Sequence, residues 1–316
     1  MRRVDALITA ARTVSRNAAN ADGTFAITDN EILQYLNDAQ DRMQNLISTQ
    51  KNVAKIFDTQ AIITLVANQE AYTIPDRLLL NKQIDAVEFS ATGLLSDYVR
   101  IRKLNFFNRD TNTGNYPIGY FKRGGQIFLQ PTPAIAGGTL RVTYERDLDD
   151  LDIPRAVVST VTGGTATQFE TLTFSTLANT HESTTPGWSN IQYFSIVNAD
   201  GVRRCSNILS ASYDAGTNII TPNPTPFIFT ASDTTPAVND VAVFNKYTTT
   251  FSQLPDACER YLVHYAAAEL FHRDSSNDYG KQSGVVEKME IDILKALSAQ
   301  TSEVQYVPMM DEYEWY

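Results

Sequence analysis

The chain is short of most of the groups that chemistry needs. Among 316 residues there are three histidines and two cysteines, and 26 Lys and Arg are outnumbered by 36 Asp and Glu, giving a net charge of −10. Tight nucleic-acid binding by phosphate neutralisation requires a concentrated Lys/Arg surface, which an acidic chain does not supply. An acidic wall can still surround a duplex without gripping it, because it repels phosphates and lets DNA slide. Cys205 and Cys258 stand far apart and in different kinds of segment, so two small buried residues are expected, not a disulfide. No stretch approaches 18 apolar residues, so no membrane span is expected. The N-terminal MRRVDALITAARTVSRN lacks the apolar core of a signal peptide; Val4, Leu7, Ile8, Ala11 and Val14 or Ser15 form a helical stripe, with Arg2, Arg3, Arg12 and Arg16 largely off it.

Catalytic motifs are missing as well. His264 and His272 are eight residues apart, two helical turns, and neither belongs to an HExxH pair; His181 stands alone. Gly124-Gly125 follows Lys122-Arg123 without a GxxxxGK[ST] pattern, so it predicts a hairpin turn and not a phosphate cradle. No GxSxG occurs. Glu31 with Asp38, or Asp147 with Asp149, Asp150 and Asp152, could in principle flank a glycosidic bond. Glu31 already has a capping role, and the DLDDLD run reads as a solvated acidic turn. The expectation is no enzyme, with no catalytic residue, metal or cofactor site.

What the sequence does carry is packing information. Thr28 and Glu31 form a capping box, and Ile27 and Ile32 a hydrophobic staple, at the head of a helix running to Gln50. Ile32, Leu36, Ala39, Met43, Leu46 and Ile47 recur at helical spacing, with Asp38, Asp41, Arg42 and Asn45 on the other face. Residues 58–153 alternate short β segments with turns: 61–65, 71–74, 84–89, 98–104, 126–131 and 139–145. From 156 to 249 the composition shifts to Thr, Ser, Asn, Gly and Pro, with candidate strands at 169–174, 191–197, 218–222, 226–230 and 240–247. A small barrel or sandwich is the natural reading of that segment. Pro255 suits the first position of a helix, in which Tyr261, Leu262, Tyr265, Ala268 and Leu270 or Phe271 form the buried stripe, beside an Ala266–Ala268 run that allows close helix approach. A second helix spans 281–300, with Val285 or Val286, Met289, Ile293 and Leu297 on one face.

The last segment, SEVQYVPMMDEYEWY, has four acidic residues, no basic one, and a Pro308 that opposes a continuous helix. Tyr, Trp and Met are enriched where surfaces become interfaces. Val304, Tyr306, Met309, Met310, Tyr313, Trp315 and Tyr316 are therefore the expected docking residues, inserted into a partner or a neighbouring copy.

Residues 25–153 and 252–300 resemble the head-to-tail adaptor (connector) proteins of tailed phages, the short-tailed type above all. The resemblance is carried by ITDNEILQYLNDAQDRMQNLI, AYTIPDRLLLNKQIDAVEF, IGYFKRGGQIFLQPTPAIAGGTLRVTYERDLDDLD and SQLPDACERYLVHYAAAEL. Residues 156–249 depart from compact members of that family. The resemblance implies an α+β fold: a helical bundle with a β extension and an inserted all-β domain. The expected organisation is 1–155 for the first part of the core, 156–249 for the inserted domain, 250–301 for the helices completing the core, and 302–316 for a docking tail. It further implies a structural virion protein at the head–tail junction, made in the host cytoplasm. There it would form a ring of twelve copies between portal and tail and extend the DNA channel. The implied partners are the protein itself, the portal, tail or neck proteins, and DNA passing without sequence-specific binding. A different class of reading makes residues 156–249 a receptor- or carbohydrate-recognition module, with Trp188 and Tyr193 stacking on sugar rings; a cell-wall glycan hydrolase is the third.

Overall fold

A computed structural model describes residues 2–17, 26–50, 56–74, 77–78, 84–105, 115–134, 136–175, 192–198, 200–214, 217–229, 233–274 and 276–302. The fold is α+β, with helices, a seven-stranded sheet and a closed barrel. The chain divides into two compact units, one of residues 1–53 with 149–316 and the other of residues 54–148.

The first unit begins with α1 (Val4–Ser15) and α2 (Asp29–Thr49). Val4, Leu7, Ile8 and Ala11 of α1 are buried as their spacing requires. Arg12 departs from the expectation, because it too is buried: its guanidinium donates to the Ile27 carbonyl at 2.8 Å and pairs with Asp29 at 2.6 Å. Helix α2 starts where its cap demands, the Thr28 hydroxyl accepting the Glu31 N–H at 3.2 Å. The Glu31 carboxylate, expected to complete the capping box, instead pairs with Arg273 at 3.0 Å. Ile27 and Ile32 are both buried, as a staple needs, while Leu46 is only half-buried and Leu33, Gln40 and Gln44 join the covered face.

Two further helices complete the bundle, α3 (Glu259–Arg273) and α4 (Tyr279–Ser302). Pro255 is not the first helical residue; it precedes a 3-10 turn at Asp256–Cys258, from which α3 continues. Helix α3 packs against α1, α2 and α4. Its burial accordingly exceeds one stripe, covering Tyr261, Leu262, Val263, Ala266, Ala267, Ala268 and Leu270. The alanines let neighbouring axes approach. The phenol of Tyr261 is satisfied by Glu290 of α4 at 3.0 Å, and Arg42 of α2 holds the same carboxylate at 2.8 Å. On α4, Val286, Ile293 and Leu297 face inward, whereas Val285 is exposed and Met289 half-buried.

The same unit contains the barrel. Its strands are β9 (Ala156–Thr162), β11 (Thr171–Ser175), β12 (Tyr193–Val197), β13 (Arg203–Asp214), β14 (Ile219–Pro222) and β16 (Val241–Phe244). They close in the order β11-β14-β13-β12-β16-β9, every pair antiparallel. Closure removes sheet edges, which decides for a barrel over a sandwich. Leu172, Phe174, Phe194, Ile196, Ile208 and Ile220 fill the interior with Cys205. Short strands β10 (Gln168–Phe169) and β15 (Phe227–Ile228) pair beside it, where Phe227 and Phe229 stand 5.4 and 6.1 Å from the buried Phe169 ring.

The second unit is a seven-stranded sheet ordered β1-β7-β3-β4-β5-β6-β2. Its strands are β1 (Asp58–Thr64), β2 (Ala71–Thr73), β3 (Ile84–Ser90), β4 (Val99–Lys103), β5 (Gly119–Arg123), β6 (Gln126–Gln130) and β7 (Thr139–Glu145). Only β4 and β5 run parallel. Gly124 and Gly125 join β5 to β6 with φ of 56° and 76°, the positive pair that a two-residue hairpin turn requires. Tyr72, Val87, Ile101, Ile127, Leu129, Leu140 and Val142 lie in the core.

Candidate functional site

The chain enters the barrel from β8 (Asp150–Leu151) and leaves it through β17 (Thr248–Thr249). These strands pair in parallel, so both connections pass through one two-stranded ribbon. Helix α2 holds that ribbon with polar side chains. The Asn37 amide donates to the Leu151 carbonyl at 3.0 Å and accepts the Leu151 N–H at 2.6 Å, replacing both hydrogen bonds of a missing strand neighbour. Gln40, almost fully buried, donates to the Asp149 carbonyl at 2.8 Å and accepts the Ser252 hydroxyl at 2.9 Å.

The acidic run belongs to this junction and is not the solvated turn that its composition suggests. Asp149 is 1% exposed. Its carboxylate accepts Gln253 Nε2 at 2.8 Å and pairs with Arg203 of β13 at 3.2 Å, while its N–H donates to Gln253 Oε1 at 2.9 Å. Asp152, also buried, accepts Arg155 at 2.6 Å, the Phe244 N–H at 2.8 Å and the Ile153 N–H at 2.9 Å. Burial raises the Asp152 carboxyl, opposed by the hydrogen bonds and charge of Arg155. Carboxylates so engaged bind barrel to ribbon. Asp147 lies in the sheet unit, its N–H donating to the Arg77 carbonyl at 2.8 Å.

The remaining candidates have equally local roles. His264 Nδ1 lies 2.6 Å from Gln282 Nε2, and burial holds its imidazolium below the ordinary value, with Arg260 adding to the effect. The His272 ring sits 4.7 Å from that of Tyr279. Among the described residues there is no cluster of three or more His, Cys, Asp or Glu able to hold a metal. No described helix is long and apolar enough to cross a membrane. Tyr193, a candidate sugar platform, carries the Lys246 ammonium 4.2 Å from its ring centroid; His181 and Trp188 lie outside the described residues. So do all seven expected docking residues, Val304, Tyr306, Met309, Met310, Tyr313, Trp315 and Tyr316.

Sequence reasoning missed Asn37, Gln40 and Arg203. Gln40 did leave a signal, a polar residue next to Ala39 on the apolar face of α2.

The model of the SU10 adaptor protein family matches residues 2–158, which span α1, α2, the sheet unit and the start of the barrel. No curated protein matches the chain. The family match supports a structural adaptor of a bacteriophage particle, associated with other virion proteins.

Proposed function

Taking residues 2–158 as the framework of a phage adaptor, we propose that this protein forms a ring between the portal and the tail. The ring has twelve copies, lengthens the DNA channel and gives the tail its attachment platform. The observation that carries this reading is the family match over the first two helices and the sheet. The physical arrangement supports it: Glu31, Asp149 and Asp152, three of the carboxylates singled out from the sequence, are engaged in holding elements together, and the chain's charge suits a wall along which DNA passes. Rings are built from heterologous faces that close on themselves, and several helices and two β bodies offer such faces.

In functional terms, residues 1–155 and 250–301 form the adaptor core, 156–249 the inserted domain at the head–tail junction, and 302–316 a docking arm. The arm's aromatic and methionine side chains supply apolar anchors, and its acids set their direction of approach. Truncation before Glu303 tests the arm: the shortened protein is expected to fold but not to attach stably to heads. Normal attachment by the shortened chain removes the docking-arm reading.

A further inference from the structure

Strand β1 is an edge that the fold leaves open. Its register with β7 runs unbroken from Asp58–Glu145 to Thr64–Thr139, and β7 is its neighbour on one side only. The pairing fixes which groups point away. Phe57 accepts the Arg146 N–H at 2.9 Å and Leu65 donates to the Gly138 carbonyl at 2.8 Å, so the odd-numbered residues hydrogen-bond to β7. Gln60, Ile62 and Thr64 therefore turn their N–H and C=O groups outward, where no described residue meets them. Their side chains are exposed too, Ile62 at 57%.

Elsewhere the fold covers such groups. The Tyr72 hydroxyl accepts the Val66 N–H at 3.0 Å and donates to the Val66 carbonyl at 3.1 Å, ending the open edge just past Thr64. Asn37 does the same for Leu151. The opposite edge of the sheet, β2, has only three residues. Edge strands are ordinarily blunted by lysine, proline, a bulge or shortness. Strand β1 has seven residues, DTQAIIT, and none of these devices. Such an edge accepts an added strand, whose main-chain hydrogen bonds supply the affinity. The chain itself carries a matching segment. Beyond Ser302, where α4 ends, lie fourteen residues, which reach about 50 Å at most when extended. Among them Val304-Gln305-Tyr306-Val307 is uncharged, as Thr59–Thr64 is, and its valines and tyrosine favour strands. Pro308 closes the run because it has no N–H for a ladder. Its alternation also fits, since Ala61 and Ile63, at the border of the sheet core, are only half-buried.

We propose that residues 303–307 of one copy add as a strand to the open edge of β1 in a neighbouring copy, Val304 and Tyr306 beside Ala61 and Ile63, and Gln305 and Val307 beside Ile62. This rests on the docking-arm reading and names its receiver. The contact is heterologous, arm on one side and strand edge on the other, as a closed ring requires.

Two full-length variants test it by sedimentation, with thermal melts as a fold control. Ile62→Pro removes an outward N–H and leaves the hydrogen bonds to β7 in place. Gln305→Pro/Tyr306→Pro removes the arm's donors in either register, and it decides alone should Ile62→Pro fail to fold. Each is expected to self-associate roughly tenfold or more weakly than the parent. Pairing is then read by oxidation: Ile62→Cys protein is mixed in turn with Val304→Cys, Gln305→Cys, Tyr306→Cys and Val307→Cys chains. Interchain disulfides are expected at 305 and 307, the positions that share a face with Ile62. Adducts at 304 and 306 instead, at all four alike or at none overturn the proposal. Adducts only between two Ile62→Cys chains overturn it too, by assigning the edge to a second β1. So does a parent that stays monomeric, or an arm variant that associates like the parent. Loss of head attachment on truncation before Glu303, with Ile62→Pro protein that associates and attaches normally, defeats this receiver while sparing the docking arm. Normal attachment after truncation defeats the arm itself.

Discussion

Asn37 behaves as one residue of a strand, since a single amide supplies both hydrogen bonds that a strand neighbour would give Leu151. Asn37→Ala leaves a backbone N–H and C=O without partners, which is expected to cost about 1–3 kcal/mol. A denaturant midpoint lower than the parent's is the expected reading, and an unchanged one contradicts the role. The two thiols make a second residue-scale test. Both are fully buried, burial pushes Cys258 up to about 12 and Cys205 higher still, and neither is in a disulfide. A thiol reagent is expected to find none in the native protein and two after denaturation. His264 gives the pH dependence. Its folded pKa lies below the ordinary 6.5, so the unfolded chain binds the proton more tightly. Its share of stability is intact above pH 6.5 and is lost as pH falls through the folded value. His264→Gln is expected to flatten that acid-side decline in unfolding measurements, and an unaltered decline points to another group.

Helices were more legible than strands, for a reason the elements themselves show. Helix α2 announces its start through Thr28 and its buried face through six apolar positions, five of which are buried. Thr28→Ala is expected to lower stability by about 1 kcal/mol, read as a reduced melting temperature. Helix α3 was harder: it touches three helices at once, so its burial has no single period. Enlarging Ala267→Leu between close-packed axes is expected to cost about 1–3 kcal/mol in the same measurement, and a neutral result contradicts close approach. Five strands, β5, β8, β9, β13 and β17, lay outside the sequence expectations. In β13, the longest strand, Asn207 adopts φ 57° and turns its amide to the Tyr247 N–H at 3.1 Å, and pairing with β12 shifts register twice, so no clean alternation survives. By contrast β9 does alternate in burial, so its Val/Thr content held a strand signal that the sequence expectations passed over.

At the scale of the molecule, the first barrel strand begins at Ala156, and barrel and helices belong to one compact unit. What sequence could not give was the junction. Asp149 and Arg203, or Gln40 and Ser252, meet only because folding brings distant segments together, and no local periodicity encodes their pairing. The acidic run consequently looked solvent-facing when two of its members are buried partners. The proposed role lies at this same scale, because an adaptor acts through faces and not through a pocket. An electron-microscopy reconstruction of the particle's unique vertex tests that role most directly. The account predicts a closed ring of this chain between portal and tail, each subunit showing a four-helix bundle and a six-stranded barrel. A vertex without this chain, in particles that still hold genome and tail, would contradict it.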